Sequence, residues 1–392
     1  WLTSLVDKLP FFSTKEPSNI NFALEGAVLK PGHSDAINLN NDDDSGVASI
    51  DDFEGAVSGF LIGSFNTNVW KLASTPITRP EALETESRLS SVNRAQLAWY
   101  SLDQSQTNQA NAYTRLVQQK ELFARDVNTG QGNLNTFDLS FYPSDRGPYN
   151  YDTPGGESFA GGMSSGVEVN EAGDGLALKN PEDRWGGVMR NFRNTDFEAS
   201  NYQFIEFWML NPYMDRLDGV QHDFDEEGVI EFHFGNVSED ILADNLQFFE
   251  NALPVPGESI PVKPTAYGQA PLITPVTQGF DRQSGFLQDV GFDGIGDSLE
   301  GVKHKDYIDL LNGAFGSNTP SSVLNDPAGD NYEYFVQASG GIVNRYKNYN
   351  GTEGNSPIAF SDTNRGSTAE PDTEDINRDQ TMNTIDSYFE YR

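Results

Sequence analysis

The chain has 392 residues and sets 25 Lys and Arg against 59 Asp and Glu, for a formal net charge of −34. A surface this acidic repels phosphate backbones and anionic headgroups, and no basic patch with interleaved aromatics offsets it, so nucleic acid is excluded as a partner and anionic lipid headgroups are disfavoured. With no Cys there are no disulfides, thiolate zinc sites or cysteine nucleophiles, and 37 Gly and 20 Pro beside 26 Phe and 15 Tyr mark a loop-rich globular chain rather than a disordered one or a helical bundle.

The first residue is Trp1, with no leader-like stretch before it, so the sequence reads as a piece of a longer chain. No run approaches the length of a transmembrane helix, whereas spanning strands, whose signal is far weaker, stay open. Residues 1–46 form a lead-in. Asn41–Glu54 is an acidic loop without a basic residue, and the Gly-spaced apolar stretch Ala56–Trp70 follows it as strands, so 47–75 is expected to open a β-sandwich.

From Arg79 to Lys120 the composition turns to Ala, Leu and Gln, and Pro80 followed by Glu81 and Glu84 is a helix-start signature. A partly helical insertion over 76–135 is the expectation, broken near Ser101–Gln109. Thr136–Tyr142 alternates, Phe137, Leu139 and Phe141 against Asp138, Ser140 and Tyr142, and the turn-forming run Pro143–Pro148 is expected to end it. Tyr202–Leu210 is apolar on both faces of a strand, which predicts cover on both. Gly228–Gly235 places Ile230, Phe232 and Phe234 opposite Val229, Glu231 and His233, a strand with one wet face. The strands of 136–235 thus complete a mainly β fold, a jelly-roll-like β-sandwich core. Trp70, Trp185 and Trp208 sit in apolar strand patterns and are expected in that core, while Trp99 and Trp1 are expected to be freer. Residues 236–392 are expected to be irregular, acidic and loop-rich, packed on a neighbour rather than around a second core.

Enzyme chemistry finds no scaffold. His33, His222, His233 and His304 lack metal-helix spacing, and there is no nucleophile elbow, phosphate loop or dinucleotide fingerprint. Calcium has better support. Asp289, Asp293 and Asp297 recur every four residues with Gly between them, and Glu300 follows, so one loop can wrap hard oxygen ligands around a cation. The spacing is not that of an EF-hand. Asp372, Glu374, Asp375, Asn377, Asp379 and Asn383 make a second acidic loop. The alternative for both is a set of turns in which Asp and Asn accept from the backbone.

Arg184-Trp-Gly-Gly-Val-Met-Arg190, Thr195-Asp-Phe-Glu198 and Ile205-Glu-Phe-Trp-Met-Leu-Asn-Pro212 resemble the SprA/Sov family, the giant gliding-motility and outer-membrane translocon proteins of the Bacteroidetes type IX secretion system. The resemblance extends through Ile50–Gly55, Leu97–Tyr100, Phe141–Asn150, Gly291–Gly294, Asp330–Tyr332, Arg345–Pro357 and Pro371–Asn377, in family order. Leu311–Val323 and Val336–Val343 match only loosely. The resemblance implies an excursion of a very large outer-membrane β-barrel through which folded cargo passes, with no catalytic residues. It further implies translocon subunits and exported cargo as partners, the outer membrane as the site of the parent barrel, and an aqueous compartment for this segment, the extracellular side favoured over the periplasmic. A carbohydrate-binding jelly-roll module of a cell-surface protein, stacking sugars on exposed Trp and Tyr, is the competing reading.

Overall fold

The computed structural model describes residues 67–391 apart from 104, 107–113, 124–131, 156–160, 193–196, 198–201, 203, 212, 214–227, 256, 282–284 and 351–369. Two compact units divide the chain: Trp1–Gly59 with Glu198–Tyr202, and Phe60–Phe197 with Gln203–Arg392. The description below concerns the second. The strands expected over Val47–Asn66 lie outside the described residues, as do Trp1, His33 and His222.

Small antiparallel sheets dominate. β1 (Lys71–Leu72) pairs with β8 (Val188–Met189), and β3 (Val117–Gln118) with β4 (Asn133–Leu134). β2 (Ala95–Tyr100), β5 (Asp138–Arg146), β6 (Val167–Val169) and β7 (Leu176–Leu178) form a four-stranded sheet in the order β2-β5-β7-β6. β9 (Phe232–Asn236) pairs with β12 (Ser387–Tyr391), and β10 (Val262–Pro264) with β11 (Gln269–Pro271). Helices are short: α1 (Gln119–Leu122), α2 (Gly285–Gln288), α3 (Asp297–Lys303), α4 (Lys305–Phe315), α5 (Ser321–Asn325) and α6 (Ile342–Tyr346).

β2 replaces the centre of the expected helix. Pro80 does start a helical turn, but Pro80–Leu83 and Arg88–Ser91 are single 3-10 turns, and every residue from Ala95 to Tyr100 is buried. Ala, Leu and Gln favour helix only weakly, and burial on both faces overrides that preference. Ala95 and Trp99 enter the larger core, with Tyr149, Tyr151, Leu242, Tyr267 and Leu311. Ala98 and Tyr100 enter a second cluster with Phe335, Ile342 and Tyr346, where the Tyr100 and Tyr346 rings stack with centroids 4.2 Å apart. β2 is thus the wall between two aromatic cores.

β5 runs past Tyr142 to Arg146, because Pro143, Ser144 and Asp145 are absorbed in a bulge between the Ala95–Arg146 and Gln96–Tyr142 pairs, where a missing N–H costs no ladder bond. Its apolar face is the wet one: Leu139 and Phe141 are exposed, while the Ser140 hydroxyl meets the Tyr100 hydroxyl at 3.0 Å. Gly147 follows the bulge at a point where any Cβ would collide with the Ala95 carbonyl.

The C-terminal half shares the larger core. Tyr267, Phe292, Tyr307, Leu311 and Val323 all belong to it, and α3 and α4 supply regular structure where only loops were expected. Trp185 is buried, and Trp99, expected to be freer, is 0% exposed. Trp208, expected in the core, is 70% exposed. Phe204–Leu210 forms no ladder and is exposed throughout, so the cover predicted for both its faces is absent among the described residues.

Candidate functional site

The most unusual chemistry of this domain is a set of carboxylates taken out of water. Burial disfavours a carboxylate's charged form unless hydrogen bonds or a cation compensate it. Three such groups occur among the described residues, and they differ in how their oxygens are satisfied.

In the first, Glu374 reaches into the turn after β9. One of its oxygens accepts from the Ile241 N–H at 2.7 Å and the other from the Phe248 N–H at 3.0 Å. Asp240 accepts from the N–H groups of Asp244 and Asn245, and Asp244 from that of Leu246. Burial, then the Asp240 charge, pushes Asp244 up to about 7. In the second group, Glu250 accepts from the N–H groups of Val290, Gly291 and Asp372, at 2.6, 2.7 and 2.7 Å. Burial, then Asp372 and Asp289, holds Glu250 well above the ordinary carboxylate range. Asp289 therefore stands with Glu250 and Asp372, apart from the other members of its four-residue repeat. In both groups the acids act as struts for backbone that has no ladder of its own.

The third group gathers Asp293, Asp297, Glu300, Asp326 and Asp330. Gly291–Gly294 is a turn with Gly291 and Gly294 at positive φ, 78° and 70°. A Cβ on Gly291 would collide with the Asp330 carboxylate and the Tyr149 hydroxyl, so only glycine brings the turn this close. Tyr149 itself holds φ 59° and accepts from the Phe292 N–H at 2.8 Å. The turn leads into α3, where Asp297 and Glu300 fall three residues apart on one face. Asp326 arrives from the loop after α5. Carboxylate oxygens of Asp297, Glu300 and Asp326 all lie within 4.8 Å of one another. Partial compensation comes from the N–H groups of Ala328 to Glu300 and Gly329 to Asp326, and from the Asn331 amide to Asp297. Arg146 binds the carbonyls of Asn150, Asp326 and Pro327 beside the group. Burial pushes Glu300 up to about 8, and raises Asp293 and Asp330 well above their ordinary value.

Of the four residues singled out in the sequence as calcium ligands, Asp297 and Glu300 thus converge with Asp326, Asp293 feels their charges, and Asp289 stands with Glu250. Asp326 and Asp330 went unrecognised, although Asp326-Pro-Ala-Gly-Asp330 repeats the four-residue spacing with an intervening Gly. The second acidic loop is dispersed: Asp372 turns toward Glu250, Glu374 toward Asp240, and Asp375 and Asp379 accept from the backbone N–H groups of Gln380 and Thr381.

The remaining titratable sites are of other kinds. His304 lies between the Tyr151 hydroxyl, 2.9 Å from Nε2, and Arg88, and burial lowers it to about 4, which keeps it neutral. His233 sits on β9 between Glu231 and Glu390, at 3.8 and 3.5 Å, and stacks on Tyr388. The opposite face of that ribbon is aromatic: Phe234 pairs with Phe389 and Phe232 with Tyr391, and Phe192, Phe197 and Phe207 gather on the same rings. Phe389 is 76% exposed. Trp99, buried, offers no platform for a sugar.

These features define an acidic, Cys-free domain of small antiparallel sheets, braced by buried carboxylates and carrying one two-faced ribbon. A family model described as motility related/secretion protein, SprA_N, matches residues 306–392, a stretch that includes α4, Asp326, Asp330, Glu374 and β12. That similarity is to motility- and secretion-related proteins and covers the C-terminal part of the chain. A search of curated proteins found no match. No helix among the described residues is long and apolar enough to cross a membrane.

Proposed function

We propose that this chain is a structural and gating region of the outer-membrane, protein-conducting translocon of type IX secretion, required for export of cargo proteins and for gliding motility. The observation that carries the reading is the β9–β12 ribbon, with Phe232, Phe234, Phe389 and Tyr391 on one face and Glu231, His233, Tyr388 and Glu390 on the other. Strands that alternate between an apolar outside and a polar inside suit a barrel wall, where one face meets lipid and the other an aqueous interior. The exposed run Phe204–Leu210, whose Phe207 ring packs on Phe232, extends the apolar face.

In this reading the sheet β2-β5-β7-β6 is one layer of a jelly-roll-like domain held on the extracellular side of the outer membrane, with the other translocon subunits and exported cargo as its partners. The charge of −34 keeps that domain soluble and repels nonspecific anionic partners. The test uses the full-length parent protein carrying Phe389→Asp and Tyr391→Asp together. Charge on a lipid face is strongly disfavoured, so loss of the protein from the outer-membrane fraction and loss of cargo from the medium are expected. Normal membrane levels with normal export would overturn the reading.

A further inference from the structure

The polar face of the β9–β12 ribbon brings an imidazole between two carboxylates. Side chains two apart on a strand share a face, and residues directly opposite in an antiparallel ladder stand side by side. Glu231 lies two residues before His233, and His233 pairs with Glu390 across the ladder, so one face carries all three. Their ligand atoms lie within 4.8 Å of one another. The His233 Nε2 is 3.8 Å from the Glu231 carboxylate and 3.5 Å from that of Glu390. Both distances exceed the roughly 2.7–2.9 Å of a charge-assisted hydrogen bond, and Nε2 is buried with no hydrogen-bond partner among the described residues. They come close instead to the edge of a tetrahedron, about 3.4 Å where the arms to a central metal are about 2.1 Å long. A proton on Nε2 serves one carboxylate at a time, whereas a cation between the three serves all of them. Tyr388 stacks on the imidazole with ring centroids 4.4 Å apart, and its hydroxyl accepts from the Ile77 N–H at 3.0 Å. The plane of the ring is thus set before any ion arrives, which lowers the ordering cost of binding. The three side chains are 16–22% exposed, sheltered but still reachable from solvent.

We infer that Glu231, His233 and Glu390 bind a zinc ion. A buried imidazole nitrogen disfavours calcium and magnesium, which take oxygen ligands, and suits zinc, which accepts nitrogen and carboxylate oxygen and imposes no geometry through its d-electrons. The two carboxylates balance the double charge of the ion without help from other acids. One nitrogen and two oxygens fill three corners of a tetrahedron and leave the fourth to water, as in zinc sites that keep an exchangeable position. A two-stranded ribbon is marginal by itself, and here its strands come from distant parts of the chain, so an ion ligated from both would fasten β9 to β12. This inference does not rest on the translocon reading, since the ligands stand on the polar face whatever the aromatic face meets.

The experiment uses the full 392-residue chain, stripped with chelator and titrated with zinc by calorimetry and, in parallel, with cobalt(II) by visible absorption. A ligand held only by the folded state raises the melting temperature, so zinc should raise it and chelator should reverse the rise. Cobalt in a tetrahedral site absorbs strongly in the visible, whereas cobalt held octahedrally by oxygen alone is nearly colourless. A strong band that zinc bleaches and calcium leaves intact is therefore expected. His233→Gln and Glu390→Gln should each weaken zinc binding about tenfold or more, since even substitutions behind the ligands of a metal site cost that much. The double variant His33→Gln with His222→Gln should leave zinc affinity unchanged. If His233→Gln does not fold, the wild-type titrations and Glu390→Gln decide. A wild-type protein with neither a zinc-dependent melting shift nor a visible cobalt band would overturn the proposal. So would a zinc response that survives both ribbon substitutions, or a cobalt band that calcium bleaches.

Discussion

A single guanidinium carries much of the junction between the four-stranded sheet and the segment before β8. Arg184 donates to the carbonyls of Lys179, Val92 and Gly166, to the Asn93 and Ser164 side chains, and to Asp152 at 3.1 Å, with both members of the ion pair wholly buried. The planar fork of Arg meets these acceptors at once, and Lys cannot. Removing one partner of a buried pair strands the other charge, which costs about 3–5 kcal/mol. Arg184→Met is therefore expected to lower unfolding stability by about that amount, measured as the shift of a urea midpoint at constant slope. A loss below about 1 kcal/mol, the worth of an exposed pair, would show that the junction is wet. Arg184 stands out in the sequence only as part of a family-like segment, because the carbonyls it gathers are invisible to any residue pattern.

At the scale of elements, what was legible depended on whether one face of an element meets water. β9 was foreseen from alternation alone, whereas β12 lies in the span expected to be irregular. β2 was not, since a strand buried on both faces has no alternation to read and its Ala, Leu and Gln content mimics a helix. The four-residue acidic repeat was seen, but a repeat along the chain cannot reveal that the glycine turn at 291–294 sends Asp289 and Asp293 to different neighbours. α4 was hidden by its surroundings of Gly, Asn and Asp. It is nonetheless amphipathic: Tyr307 and Leu311, four residues apart, are fully buried, while Leu310 is half exposed. Leu311→Ala should cost about 2–5 kcal/mol through lost burial and the cavity left behind. Leu310→Ala should change stability by less than about 0.5 kcal/mol. Equal losses in thermal or urea unfolding would mean that α4 docks through a different face.

At the scale of the whole molecule, buried acids invert the usual response of stability to pH. Most proteins lose stability on acidification because their carboxylates are better solvated or paired as anions when folded. Here burial comes first among the causes acting on Asp244, Glu250 and Glu374, and it raises all three, Asp244 to about 7. An acid whose folded value lies above its unfolded one binds more protons when folded, so stability falls as pH rises between the two values. For Asp244 that window runs from about 4, the ordinary aspartate value, to the raised one near 7. Around it, Asp240, Glu374 and Glu86 add negative charge, while Lys263 and the Leu246 N–H oppose them. The net charge of −34 acts in the same direction, since partial protonation relieves self-repulsion throughout the domain. Metal-free protein is therefore expected to be more stable at pH 5.5 than at pH 8, measured by urea unfolding at fixed ionic strength. Asp244→Asn removes one titrating group while keeping an acceptor for the Leu246 N–H, and it should gain about 1–3 kcal/mol at pH 8 and almost nothing near pH 4. Stability that is flat or rising from pH 5.5 to 8 would mean that water or a cation reaches these carboxylates and that their burial does not govern the fold.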